Sequence, residues 1–222
     1  MRKAMMIPML AALAVPVLLA GTAAAQAPHT HEHSFAEAGK WAKVFDDPGR
    51  DAWQKPHAVI QTLGLKPDAI VADIGSGTGY FAVRLAHRVP KGKVYGVDTE
   101  PDMVKYLAER AVREGLKNVI AVRAAAGDAR LPEKADLIIM VDVFHHITDR
   151  DNYFRKLRDS LKPGGRLAVI DYRMDSPDGP PKSARLMPDQ VKAELRRAGY
   201  TPAGEHGFLP KQYFLVFQSA QH

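Results

Sequence analysis

The stretch VADIGSGTGY, residues 71–80, decides the fold. It begins within an apolar, β-branched run, residues 70–74, that predicts a buried strand, and it continues into helical spacing over residues 78–88. Between the two lie three glycines within five residues, Gly75, Gly77 and Gly79. Because glycine has no side chain, the backbone can turn sharply there and a ligand can approach it closely. A glycine-rich turn between a strand and a helix therefore predicts a ligand-binding loop.

Strand and helix patterns alternate along the rest of the chain. Further strands are predicted at residues 93–97, 119–122, 137–143 and 167–170, and further helices at residues 101–113, 149–161 and 188–198. Two last strands, at about 201–206 and 213–217, are close enough to form an antiparallel hairpin. Because right-handed crossovers place helices on both faces of a parallel sheet, we expect an α/β fold. It is a Rossmann-like, doubly wound, seven-stranded mixed sheet with an antiparallel C-terminal hairpin.

The composition excludes several classes of site. The 222 residues are 46% hydrophobic and 25% charged, which is ordinary for a globular protein. The chain has no cysteine, so it has no thiolate nucleophile, zinc-thiolate site or iron-sulfur cluster. The net charge of +6 is spread in short mixed runs. Because no basic stripe is present, we expect no nucleic-acid partner.

Residues 1–27 have the three-part layout of a secretory signal. A positively charged start precedes an apolar stretch at about residues 5–20, and Ala25 and Ala27 occupy the small-residue positions before a cut. The apolar stretch is short for a membrane span and contains two prolines. We therefore expect export, to the periplasm, and no stable membrane span after cleavage. The alternative is an uncleaved segment that anchors the protein in the membrane.

Three histidines, His29, His31 and His33, alternate directly after the expected cut. Such a triplet can hold a metal ion, but an exposed polar tail has the same composition. We therefore predict no metal site.

The glycine spacing separates two kinds of nucleotide ligand. Dinucleotide sites prefer G-x-G-x-x-G, whereas this loop has G-x-G-x-G, and Tyr80 stands where the third dinucleotide glycine would pack the helix against the strand. Asp98 follows Gly75 by 23 residues and ends the second predicted strand, where an acid can accept hydrogen bonds from both ribose hydroxyls. Because adenosyl and nicotinamide ligands share that ribose, a nicotinamide-dependent oxidoreductase stays open as an alternative.

Five stretches together resemble the class I S-adenosylmethionine-dependent methyltransferases, and most closely the small-molecule branch that includes quinone-biosynthesis methyltransferases. They are VADIGSGTG, YGVDTEPDMV (95–104), AGDARLP (126–132), DLIIMVDVFHHITD (136–149) and LKPGGRLAVID (161–171). They follow one another in the family's order with similar spacing, over roughly residues 57–218.

The resemblance implies S-adenosylmethionine as the cofactor and a small molecule as the methyl acceptor. The implied cofactor-binding residues are Asp73, Gly75, Ser76, Gly77, Gly79, Asp98, Thr99, Met103, Asp128 and Ala129. Among them, Asp98 matches the ribose-binding acid and Asp128 with Ala129 the position that contacts the adenine edge. Met103 matches a residue beside the adenine, although core packing explains it nearly as well.

The implied catalytic residues are Asp142, which matches the motif nearest the transferred methyl, and the pair His145 and His146. Methyl transfer is an in-line displacement, so the protein must mainly align the reactants and exclude water. A base is needed only if the acceptor is a hydroxyl or a protonated nitrogen, and either histidine is a candidate.

The expected organisation is a signal at residues 1–27, an N-terminal tail and lid at 28–56, and an S-adenosylmethionine-binding domain at 57–222. Trp41, Phe45 and Trp53 lie in the lid segment, where they can cover an acceptor or pack on the sheet. Since the cofactor is made in the cytoplasm and the signal predicts export, a non-catalytic binding protein is a second alternative.

Overall fold

The computed structural model of the protein describes residues 37–219. The strands of this part are β1 (Ile70–Ile74), β2 (Lys93–Asp98), β3 (Val119–Arg123), β4 (Ala135–Val141), β5 (Leu161–Tyr172), β6 (Tyr200–His206) and β7 (Gln212–Ser219). The α-helices are α1 (Ala38–Phe45), α2 (Arg50–Gln54), α3 (Pro56–Leu63), α4 (Tyr80–Arg88), α5 (Pro101–Arg113), α6 (Arg150–Asp159) and α7 (Pro188–Arg197). Short 3-10 helices occupy Phe144–His146 and Lys182–Ala184.

The strands form one seven-stranded sheet in the order β3-β2-β1-β4-β5-β7-β6. The pairs from β3 to β5 are parallel, and β7 is antiparallel to both β5 and β6. This confirms the predicted doubly wound mixed sheet and its antiparallel C-terminal pair. Strand order reverses between β1 and β4, and doubly wound sheets bind ligands outside the carboxyl ends of the strands at such a point.

Two apolar layers cover the sheet. Along β4, Leu137 and Ile139 belong to the layer that includes side chains of α3, α4 and α5, whereas Ile138 and Met140 belong to the layer that includes α6 and α7. This alternation follows from the two-residue period of a strand. All four side chains are fully buried, as expected for a parallel strand covered on both faces. The ends of such a rigid strand hold functional groups in fixed places.

The segment before β1 corrects one prediction. The sequence predicts a single helix whose apolar face includes Trp53, Val59, Ile60 and Leu63, but Lys55 adopts a φ of 46° and separates α2 from α3. A positive φ interrupts a right-handed helix, and Pro56 then begins the next one because its first-turn position needs no N–H donor. Trp53 therefore lies on a different helix from the other three.

The boundaries around β5 differ from the predicted ones. Residues 163–165, Pro-Gly-Gly, predict a break before a short strand, yet β5 begins at Leu161 and continues through them. A register shift between β4 and β5 accommodates the extra residues, because Ala135 pairs with Leu161 while Leu137 pairs with Arg166. The helix before it, α6, ends at Asp159 and starts after Asp149, whose side chain makes no capping hydrogen bond.

Within residues 37–219 no helix has the length and apolar character that crossing a membrane requires. The same part of the chain contains no group of three or more acidic or histidine side chains suited to a metal ion. The predicted signal and the histidine triplet lie outside the described residues.

Candidate active site

The loop between β1 and α4 is held by glycine geometry. Gly75, Gly77 and Gly79 have φ values of 69°, 52° and 92°, which favour glycine. A Cβ atom on Gly75 would lie 2.3 Å from Cγ2 of Val143, and one on Gly79 would lie 2.4 Å from Cδ1 of Leu107. Backbone conformation and close packing thus both require glycine at these two positions.

Asp98, at the end of β2, organises this loop. Its Oδ2 accepts a hydrogen bond of 2.9 Å from the N–H of Gly77, and its Oδ1 accepts one of 2.9 Å from the N–H of Glu100. Burial raises the pKa of Asp98, and these N–H donors act in the opposite direction. The sequence predicts a ribose contact for this acid. The structure shows that it also holds the glycine loop.

Three polar side chains at the loop each have one buried atom that forms no hydrogen bond with any described residue. The unpaired atoms are Asp73 Oδ2, Ser76 Oγ and Thr78 Oγ1. Leaving a buried donor or acceptor unpaired costs about 1–3 kcal/mol. Burial raises the pKa of Asp73 to about 7, with Asp98 acting in the same direction and Arg50 against it. A polar ligand that brings both donors and acceptors would satisfy these groups.

Helix α1 covers the glycine loop. The ring of Phe45 lies 3.4 Å from where a Cβ atom on Gly77 would be. Asp46 pairs with Arg110 of α5 over 2.8 Å, and the same guanidinium donates to the carbonyl of Thr78 over 3.1 Å. These contacts tie the described part of the predicted lid to the loop.

Tyr80 joins α4 to α2. Its hydroxyl forms a hydrogen bond to the carboxylate of Asp51, and its ring lies between the guanidinium groups of Arg50 and Arg84, each 4.0 Å from the ring centroid. The side chain is almost fully buried. A glycine at this position, as in dinucleotide-binding loops, would remove these contacts.

Asp142 follows β4 in a strained conformation. Its φ is 60°, and a non-glycine residue held in this region costs about 1–3 kcal/mol. Its N–H donates to the carbonyl of Ile170 over 2.9 Å, and its Oδ1 accepts a hydrogen bond of 2.5 Å from the amide of Gln212. Burial, followed by the charge of Asp171, raises the pKa of Asp142 to about 7. Strained backbone and perturbed carboxyl groups are common at active sites, and the catalytic role of Asp142 stays a prediction.

The two histidines after β4 have different surroundings. His145 Nδ1 lies 2.9 Å and 3.0 Å from the carboxylate oxygens of Asp171, and the two side chains are only 6% and 4% exposed. Burial acts to lower the pKa of His145, but Asp171 and then Asp142 outweigh it, so the pKa is raised. The ring of His146, an exposed residue, lies 4.1 Å from that of His145. A base role for either histidine stays a prediction.

The predicted adenine-binding residues follow β3. Ala124 donates its N–H to the carbonyl of Asp98 over 2.9 Å, and Ala125 forms an antiparallel bridge with Asp128. Asp128 is exposed and Ala129 is buried. Because β2 and β3 are parallel neighbours, Asp98 and Asp128 follow strand ends at the same edge of the sheet. The structure thus brings the two predicted acids to one edge.

Two predicted residues of the β2–α5 region differ in exposure. Thr99 is exposed, whereas Met103 is 1% exposed within α5. The burial of Met103 is what core packing requires, and its place beside the adenine stays a prediction.

Sequence reasoning missed Arg50, Gln54 and Gln212. Gln212 bonds to Asp142, Gln54 bonds to Gln212 and Arg50 bonds to Gln54, and both glutamines are almost fully buried. The sequence gives one indication of Gln212, which is a glutamine directly before the apolar residues of β7. Strand ends border the ligand crevice in this type of sheet.

Comparison with known proteins places the site in a family context. A family model described as a methyltransferase domain matches residues 65–206. The ubiquinone/menaquinone biosynthesis C-methyltransferase UbiE of Shewanella sediminis is 31% identical over 116 residues, which is 51% of this chain and 46% of that protein. This chain therefore matches less than half the length of that relative.

Two solved structures share the architecture. A SAM dependent methyltransferase from Aquifex aeolicus is 29% identical with a TM-score of 0.76, and the match covers 82% of this chain and 98% of that one. The [4+2]-cyclase SpnF is 17% identical with a TM-score of 0.66, over 77% of this chain and 82% of that one. The second likeness shows the fold alone, because a shared fold does not fix the chemistry.

Proposed function

This chain belongs to the S-adenosylmethionine-dependent methyltransferase family, with a methyltransferase domain matched at residues 65–206, and we propose that it methylates a small-molecule acceptor by in-line displacement. The observation that carries the proposal is the set of unpaired buried atoms beside the glycine loop, on Asp73, Ser76 and Thr78. The reported relatives give no support to the nicotinamide-dependent alternative.

These residues fit the methionine portion of S-adenosylmethionine. The ammonium of the cofactor would donate to Asp73, and its carboxylate would accept from the hydroxyls of Ser76 and Thr78. Asp98 would bind the ribose, and Asp128 with Ala129 would contact the adenine. When bound, the cofactor supplies a methyl group already activated by the positive sulfur.

The protein's own residues then align the reactants and keep water out. Phe45 of α1 lies against Gly77, and the pair Asp46–Arg110 fixes α1 over the loop. Asp142 borders the loop from the other side, because the next residue, Val143, occupies the space that a side chain on Gly75 would need. An acceptor bound at Asp142 would therefore lie next to the cofactor loop.

The test is methyl transfer from labelled cofactor to acceptor extracts. We expect release of S-adenosylhomocysteine together with a labelled product. Quinol-type compounds are the first pure acceptors to test, since the relative from Shewanella sediminis is described as a C-methyltransferase of quinone biosynthesis. Cofactor binding without release in any extract would support the non-catalytic alternative instead.

We also propose that the enzyme is exported, on the basis of the signal layout of residues 1–27. N-terminal sequencing of the cellular protein is expected to begin after about residue 27, in a periplasmic fraction. An intact Met1 in the cytosol would contradict export, and an intact Met1 in the membrane would support the anchored alternative.

A further inference from the structure

A chain of side-chain hydrogen bonds joins α2 to the end of β4. Arg50 Nε donates to Gln54 Oε1 over 2.6 Å, and Gln54 Nε2 donates to Gln212 Oε1 over 2.8 Å. Gln212 Nε2 then donates to Asp142 Oδ1 over 2.5 Å. The two glutamines are 158 positions apart in sequence and are 0% and 1% exposed. The bond between the two glutamines is therefore shielded from water.

Chemistry fixes the direction of this chain. An arginine side chain only donates, so its partner atom on Gln54 must be the amide oxygen. The amide nitrogen of Gln54 then faces Gln212 and must meet the oxygen of that amide. The same reasoning turns the nitrogen of Gln212 toward Asp142, whose Oδ1 must accept. The chain thus runs one way, from a permanent donor to a carboxylate.

The donor end of the chain is anchored beside the cofactor loop. Arg50 Nη1 donates to the carbonyl of Phe45 over 2.9 Å, and the guanidinium lies 4.0 Å from the ring centroid of Tyr80. Phe45 covers Gly77, and Tyr80 begins the helix that follows the loop. This chain of hydrogen bonds therefore connects the residues that flank the glycine loop with Asp142.

The surroundings of Asp142 leave one carboxylate oxygen available. No described residue donates a hydrogen bond to Oδ2, whereas Oδ1 is held by Gln212. Burial and Asp171 oppose the ionised form, while Arg50, Gln212 and His145 favour it. The titratable groups that interact with this carboxyl group are Asp171 and Tyr172 of β5, Arg50 of α2, His145 after β4 and Tyr213 of β7.

We propose that Gln54 and Gln212 are positioning residues that hold Asp142 with Oδ2 directed to the methyl acceptor, and that this acceptor carries an O–H or N–H group which donates to Oδ2. The inference rests on the proposed methyltransferase function. As an electron pair of the acceptor forms the bond to the methyl carbon, the carbon–sulfur bond breaks and its electrons stay on sulfur. The proton of the acceptor passes to Oδ2 of Asp142.

The first test needs no acceptor. Gln212→Met keeps the length of the side chain but removes the donor, so the ionised form of Asp142 loses stabilisation and the pKa rises. A carboxyl group with a raised pKa in the folded state loses stability as pH rises through that pKa. We expect the free energy of unfolding, measured in urea from pH 5 to 9, to decrease with pH in both proteins. In Gln212→Met the decrease should extend roughly one pH unit higher than in the parent.

Two comparisons make that test specific. In an Asp142→Asn background, Gln212→Met is expected to leave the pH dependence unchanged, and Gln61→Met on the exposed side of α3 is the control. Gln212→Glu should behave like the parent only in acid, where its protonated carboxyl group donates as the amide does. If Gln212→Met shifts the pH dependence equally in the parent and in the Asp142→Asn background, the proposed positioning of Asp142 by Gln212 is wrong.

The second test uses an amine analogue of the cofactor, in which C–NH3⁺ replaces S–CH3. Its ammonium takes the place of the transferred methyl and directs N–H donors toward the acceptor position, so with Oδ2 of Asp142 there it should bind more tightly than S-adenosylmethionine. Asp142→Asn is expected to reduce this preference at least about tenfold, and Gln212→Met to reduce it less. An unchanged preference would overturn the role of Oδ2. If neither compound binds, the proposed function is wrong. The unfolding experiment still tests whether Gln212 positions Asp142.

Discussion

The two sides of the site satisfy their polar groups in opposite ways. On the proposed cofactor side, Asp73, Ser76 and Thr78 each have a buried polar atom without a partner among residues 37–219. On the proposed acceptor side, Gln212 bonds to both Gln54 and Asp142. The first side has hydrogen-bonding capacity left for a ligand, and the second is organised by bonds within the protein. Changes on the cofactor side should therefore alter affinity, whereas changes on the acceptor side should alter pH dependence.

The largest effect is expected from Gly75→Ala. A positive φ costs a non-glycine residue about 1–3 kcal/mol, and overlap with Val143 adds about 1–3 kcal/mol. Urea unfolding measures the loss, and titration with S-adenosylmethionine should show no binding by the variant. Gly115→Ala is the matched control, because it has the same φ of 69° with no atom within 4 Å. Equal losses in the two variants would mean that close packing does not fix the loop.

Asp73→Asn should weaken cofactor binding by a factor of about 10–100, because a hydrogen bond to a charged group contributes about 1.5–3 kcal/mol. The pKa of Asp73 is about 7 in the free protein, so its carboxylate becomes protonated as pH falls below that value. Affinity of the parent protein should therefore fall between pH 8 and pH 6, and that of Asp73→Asn should stay nearly constant. Calorimetry at both pH values checks this.

The control for Asp73→Asn is Asp68→Asn, an exposed acid before β1 at the opposite end of that strand. A parallel pH dependence in all three proteins would show that Asp73 does not bind the ammonium.

Asp98→Ala should weaken binding at least about tenfold, which corresponds to 1.4 kcal/mol. The variant loses the proposed ribose contact and also the acceptor for the N–H groups of Gly77 and Glu100. Asp98→Asn is the intermediate case, since its single amide oxygen keeps the acceptor for only one of the two N–H groups. Calorimetric affinities should rank the parent first, Asp98→Asn second and Asp98→Ala third. Unchanged affinity in both variants would show that Asp98 does not contribute to cofactor binding.

The smallest effect is expected from Tyr80→Phe. It removes the hydrogen bond to Asp51 but keeps the ring between Arg50 and Arg84, so the free energy of unfolding should fall by about 0.5–1.5 kcal/mol. Cofactor affinity should stay within a factor of about two. A tenfold loss of affinity would mean that the hydroxyl group contacts the ligand.

The glycine loop and the strands beside it could be predicted because their signal is local. Their glycines, acids and strand ends follow one another within short stretches, and the observed β1 (Ile70–Ile74) and α5 (Pro101–Arg113) have the predicted bounds. Turn chemistry and hydrophobic period determine such elements from neighbouring residues alone.

The hydrogen bonds that link Gln54 and Gln212 to Asp142 could not be predicted in the same way. Gln54 and Gln212 meet only after the chain folds, and buried amides leave no periodic pattern. Their meeting also depends on Lys55, which takes a conformation that the sequence does not indicate for a lysine and so ends α2 before α3. The continuation of β5 through Gly164 and Gly165 depends on pairing with β4, which is likewise a tertiary effect.

Calorimetric titration with S-adenosylmethionine tests the central claim most directly, because we propose that this ligand bonds to the unpaired atoms around the glycine loop. We predict saturable binding with a dissociation constant in the micromolar range and one site per chain. No heat with S-adenosylmethionine, together with saturable heat from a nicotinamide cofactor, would contradict the account.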